Sequence, residues 1–139
     1  MGSGVYNSAI MKPRVFFVFV LLFSYSCFAA DVKDVDGNRV LEYCTSSVQF
    51  MDNGSFSSGT QSTQASWCTG YVTGVMQALD LARRLSDTQD QRNYPCLAGI
   101  ASGQAIRVIV KYLRENPEKL QERAVTLSLD ALQRAFPCK

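Results

Sequence analysis

"ASWCTGYVTGVMQALDLARRL", residues 65–85, decides the fold. Cys68, Tyr71, Val72, Val75, Leu79 and Ala82 recur at helical spacing and form one apolar stripe at roughly 100° per residue. Trp67, Gly70, Gly74, Ala78 and Leu81 fall on a different side of the same helix. Each glycine costs roughly 1 kcal/mol against alanine in a helix interior, so two of them call for a compensating contact. Small residues one turn apart let another backbone approach closely. The stretch therefore predicts a central helix that packs on two sides, with Gly70 and Gly74 meeting either another helix of the chain or a second protomer.

Three further helical segments surround it. The first follows "DVDGN", where Asp36 or Asn38 can cap, and carries Val40, Leu41, Cys44, Val48 and Met51 at helical spacing. Next comes "DNGSFSSGTQSTQ", rich in Ser, Gly and Thr, which reads as a loop. "SDTQDQRNYPCLAGIAS", polar and without period, separates the central helix from a third, which Ser102 can cap and which carries Ala105, Ile106, Ile109, Val110 and Leu113. In "ENPEKL", Asn116 is a preferred cap and Pro117 suits the first position of a fourth helix. That helix carries Leu120, Ala124, Leu127, Ala131, Leu132 and Ala135, and Pro137 stops it. No strand alternation or heptad run is present. The reading is all-α: a small bundle of about four helices.

The N-terminal fifth sets the compartment. From Met11, two basic residues precede an unbroken apolar run from Val15 to Phe23. A charged stretch followed by an apolar run too short for the roughly 20 residues of a membrane span is the pattern of a cleavable signal peptide. Residues 1–29 are expected to be that leader, with cleavage after Ala29 and the start at Met1 or Met11, and residues 30–139 to be one domain. No stable membrane anchor is expected. Removing the leader takes away Lys12, Arg14 and Cys27, leaving 12 basic residues against 12 acidic ones and four cysteines. A neutral chain has no electrostatic basis for binding nucleic acid or anionic membranes. Four cysteines in an oxidising compartment favour two disulfides, and their spacings of 24, 28 and 42 residues do not fit a zinc ribbon.

Chemistry is conspicuous by what is missing. The chain has no histidine, which removes Ser-His and Cys-His pairs, histidine metal sites and the commonest general base. Asp87 with Asp90, and Glu115 with Glu118, read as solvated charges. No enzyme activity, metal or cofactor is expected.

Four stretches, "GNRVLEYC", "WCTGYVTGVMQALD", "GQAIRVIVKYLRENPEKL" and "LDALQRAFPC", together resemble the small periplasmic immunity proteins of the Rap/Tai type. The likeness runs from about Gly37 to Cys138, with one departure at "YPCLAGIAS", where a proline soon after Cys96 would be expected. The resemblance implies a helical, disulfide-bonded and often dimeric periplasmic protein. Such a protein binds and blocks a peptidoglycan amidase effector of the type VI secretion system, protecting the producer from its own toxin. The alternative is a helical binding or chaperone-like module of the cell envelope without a toxin partner.

An up-down-up-down bundle brings the middle of the first helix to the start of the second, so Cys44 pairs with Cys68. It brings the start of the third to the end of the fourth, so Cys96 pairs with Cys138. Recognition is expected on a tethered loop. The connection between the second and third helices offers Arg92, Tyr94 and Asp90, and the one between the first and second offers Phe56. Tyr and Arg are enriched among binding hot spots, which favours Arg92 and Tyr94.

Overall fold

In the computed structural model, residues 35–87 and 89–138 are described; the expected leader lies outside them. Among the described residues there are four α-helices: α1 (Gly37–Asn53), α2 (Gly59–Leu85), α3 (Ser102–Glu115) and α4 (Ala124–Ala135). Among the described residues there is no strand, only two isolated bridges, Asp36 with Arg123 and Pro95 with Pro137. No helix among them is long and apolar enough to cross a membrane.

Each helix buries most of the stripe its sequence marks; Met51 and Ala135, near the ends of their helices, are exposed, and Leu120 lies before α4. Val40 and Cys44 of α1, Cys68, Val72, Val75 and Leu79 of α2, Ile106, Ile109 and Leu113 of α3, and Leu127, Ala131 and Leu132 of α4 form one core. Polar groups inside it are matched. Ser47 donates to the Ala65 carbonyl at 3.0 Å, and Ser46 meets Gln64 at 2.8 Å across the α1–α2 seam. The Ser128 hydroxyl, fully buried, bonds the Tyr71 hydroxyl at 3.2 Å. Both expected disulfides are present, Cys44–Cys68 and Cys96–Cys138, each with a Cα–Cα distance of 5.1 Å.

Asp36 caps α1 by accepting from the Arg39 amide at 3.0 Å, and Gly54, at φ 72°, closes its other end. Three helix starts differ from the sequence reading. The central helix begins at Gly59, not near Ala65. Ser58 accepts from the Gln61 amide, while Gln61 reaches back to the Ser57 amide at 2.6 Å. That reciprocal arrangement starts a helix even in a Ser/Thr-rich stretch. In α3, Ser102 is already the first helical residue, and its hydroxyl pairs with that of Thr73 at 3.3 Å instead of capping.

The third difference is larger. Pro117–Lys119 is a short 3₁₀ turn, and α4 starts only at Ala124. Asn116 closes α3 by donating its side-chain amide to the Tyr112 carbonyl at 2.8 Å. The residues between are held open by the far end of the chain. The amides of Gly37 and Asn38 donate to the carbonyls of Glu122 and Leu120, and the Ala124 amide donates to the Val35 carbonyl. The Asn38 side chain adds a bond to the Leu120 carbonyl at 3.0 Å. The unsatisfied amides at the start of α1 are thus matched by a segment some 80 residues later, at the expense of the first turn that "ENPEKL" alone would form. Gly37 makes this approach possible: a Cβ there would lie 2.6 Å from Leu127 Cδ1 and 3.1 Å from the Leu120 backbone.

Candidate partner-binding surface

The loop after α2 is built to hold a short exposed segment between fixed ends. Ser86 ends the helix, its amide bonding the carbonyls of Ala82 and Arg83. Arg83 and Arg84 in the last turn suit the negative end of the helix dipole. They also pair with Asp80 at 3.3 and 2.8 Å, and the bond from Arg84 is the main cause of the lowered Asp80 pKa. Asp90–Asn93 then forms a 3₁₀ turn closed by the Tyr94 amide on the Gln91 carbonyl. Beyond it the chain is fastened: Pro95 is fully buried, the Cys96 amide donates to the Phe136 carbonyl at 2.8 Å, Cys96 is bridged to Cys138, and Leu97 is buried. A largely exposed turn on a fixed root suits recognition, because little ordering remains to be done on binding.

Within this loop the expected contact residues behave differently. Arg92 and Asp90 are exposed, and among the described residues no carboxylate lies within ion-pairing distance of Arg92. Tyr94 is half-buried and packs against the core, so its ring partly serves the loop's own root. Phe56 does not join them. It sits on the connection at the other end of α2, a helix of 27 residues and thus roughly 40 Å long. There it stacks on Phe50, ring centroids 4.2 Å apart. The two rings, Met51 and Ile106 line a cleft of about 500 Å³ with serine and threonine hydroxyls at its edge. The sequence pointed to Phe56 as a lone anchor but not to this cleft, since Phe50 faces it only after Gly54 turns the chain.

The glycine side of α2 is open. A Cβ at Gly70 or Gly74 would meet nothing within 4 Å, so among the described residues no other helix packs closely on either glycine. The close helix contact within the chain that their spacing suggested is not present among the described residues. Ala78, Leu81 and Leu85 are exposed as well, the two leucines at 57% and 78%. Next to this face runs an aromatic file that sequence reading did not single out. Trp67 stacks on Tyr71 at 5.2 Å and meets Tyr43 edge-on at 5.1 Å, and Arg39 lies over the Tyr43 ring. The i, i+4 spacing of Trp67 and Tyr71 was its signal. Burial raises the Tyr71 pKa above the ordinary tyrosine value, against the smaller opposing effect of its bond to Ser128.

Among the described residues no group of three or more acidic or sulfur ligands is placed to hold a metal. The fold and the loop define a small, disulfide-stapled helical module of the binding kind. More particularly, the chain belongs to the Rap1a immunity proteins, whose family model matches residues 36–138. Comparison with curated proteins and with solved structures returned no match. An immunity protein works by binding a secreted effector, and the family is typically non-enzymatic.

Proposed function

We propose that this protein is a periplasmic immunity protein that binds a peptidoglycan amidase effector of the type VI secretion system and obstructs its catalytic cleft. The observation that carries the reading is family membership over residues 36–138, joined to a largely exposed loop whose root is buried and bridged. Two intramolecular disulfides support an oxidising compartment. In this reading Arg92 leads the contact, Asp90 flanks it and Tyr94 shapes the turn. A second copy covers the face of Gly70, Gly74, Ala78 and Leu81, which no helix among the described residues occupies.

The deciding experiment mixes the mature protein with purified type VI amidase effectors and measures binding and muropeptide hydrolysis. Tight binding with loss of hydrolysis is expected, and Arg92→Ala should weaken both. Hydrolysis that continues at saturating protein overturns the reading. The exposed cleft of Phe50, Met51 and Phe56 favours the second reading, a chaperone-like envelope module. That reading predicts weak binding to many unfolded clients in place of one tight complex.

A further inference from the structure

The two disulfides are not equivalent. Cys44 and Cys68 are both 0% exposed and sit in the core between α1 and α2. Cys96 is exposed and Cys138 half-buried, and their bridge ties the root of the 86–95 loop to the last residues after α4. Thiol–disulfide exchange needs a thiolate to reach a sulfur, so access decides which bond opens first.

From this contrast we propose that Cys96–Cys138 is a thiol-openable clamp on the 86–95 loop, while Cys44–Cys68 is a sealed staple. The reductant is a dithiol, either a small molecule or a redox protein. One of its thiolates attacks the Cys96 sulfur, the Cys96–Cys138 bond breaks, and Cys138 leaves as a thiolate. The second thiol of the reductant then resolves the mixed disulfide. Two electrons pass to the protein, both cysteines end as thiols, and the dithiol becomes a disulfide.

What remains after opening is predictable from the contacts. The helices keep their common core of Val40, Val72, Ile109 and Leu132, to which the Cys96–Cys138 bridge contributes nothing. The contacts that join the root to the tail are few: the Pro95–Pro137 bridge and the bond from the Cys96 amide to the Phe136 carbonyl. Both depend on Phe136 and Pro137, the two residues that link the end of α4 to Cys138. Opening the disulfide therefore loosens the tail and the 86–95 loop without melting the bundle. The consequence for partner binding rests on the functional reading above, because it requires that loop to be the contact.

The test is brief exposure of the full mature protein to dithiothreitol, followed by alkylation and peptide mass mapping. Cys96 and Cys138 should be alkylated at least about tenfold faster than Cys44 and Cys68, with the helical circular dichroism retained. Trypsin added after quenching should cut behind the exposed Arg92 faster in the opened, alkylated protein than in the intact one. The Cys96→Ser/Cys138→Ser variant should match the opened protein, and alkylated wild-type serves if that variant fails to fold. Equal labelling of both bridges, loss of helix on opening, or unchanged cleavage behind Arg92 would each overturn the clamp. In a binding assay the opened form should hold the amidase effector roughly tenfold more weakly, since the loop must be ordered again. Unchanged affinity alongside faster cleavage would remove the loop from the contact surface and leave the clamp standing.

Discussion

Replacing Gly37 with alanine isolates the contact that joins the two ends of the domain. The added Cβ would sit 2.6 Å from Leu127 Cδ1, against an ordinary carbon–carbon contact of about 3.5–4.0 Å. Leu127 is 0% exposed and has nowhere to swing. The other neighbours, the Cα and carbonyl oxygen of Leu120 at 3.1 Å, are backbone held by two hydrogen bonds from Asn38. Relief by moving that backbone would weaken those bonds, each contributing about 0.5–1.5 kcal/mol. Relief by distorting the core costs about 1–3 kcal/mol. Either route predicts a net loss of about 1–3 kcal/mol, or roughly 4–20 °C in Tm for a domain of this size. Gly59 supplies the control. It is likewise the first residue of its helix, and a Cβ there would meet nothing within 4 Å. Gly59→Ala should leave stability unchanged or raise it by a few tenths of a kcal/mol, an amount of helix-propensity size. Thermal and urea denaturation of both variants, with disulfides intact, measures the difference. A Gly37→Ala protein as stable as Gly59→Ala would refute the claim that residues 120–124 are seated firmly against the start of α1.

The same substitution at Gly70 or Gly74 should stabilise the dilute protein by about 0.5–1 kcal/mol each, read by urea denaturation, because each lies in an open helix interior. Gly74→Leu should leave the fold intact but abolish self-association in sedimentation velocity; persistence of a dimer would clear the glycine face of that role. Burial raises the folded pKa of Tyr71, so the unfolded chain gives up that proton first. Stability should therefore fall as pH rises through the ordinary tyrosine value of 10.0 and on toward the raised folded value, and Tyr71→Phe should flatten that fall. Cys44→Ser/Cys68→Ser should cost about 2–5 kcal/mol by chemical denaturation, the usual range for a small secreted domain.

Much of this architecture is written in local pattern. The stripes through Val40 and Cys44, through Cys68 and Val72, and through Ile106 and Ile109 all face the core as their spacing implies. The disulfide pairing followed from bundle topology alone. What the sequence hid was decided by partners distant along the chain. Asn116 and Pro117 form a fair helix start, yet the Leu120 and Glu122 carbonyls are claimed by α1, so the helix waits until Ala124. Periodicity placed Gly70 and Gly74 on one side of α2, but not what covers that side. Arg92 and Asp90 were legible as loop residues because polarity marks exposure, whereas the half-buried ring of Tyr94 depends on how the buried Pro95 turns the chain.

The seam between the start of α1 and residues 120–124 also governs the order in which the chain can mature. A polypeptide made from its N-terminus exposes Gly37 and Asn38 long before Leu120 and Glu122 exist, so the first helix cannot be finished until the domain is nearly complete. Closing so distant a pair carries its entropy cost up front and slows folding relative to a bundle of purely neighbouring contacts. For a protein read as bound for export, that delay has a use. The unfinished chain stays pliable enough to thread through a translocation channel, and a product truncated before residue 120 never acquires the seam that would make it persist.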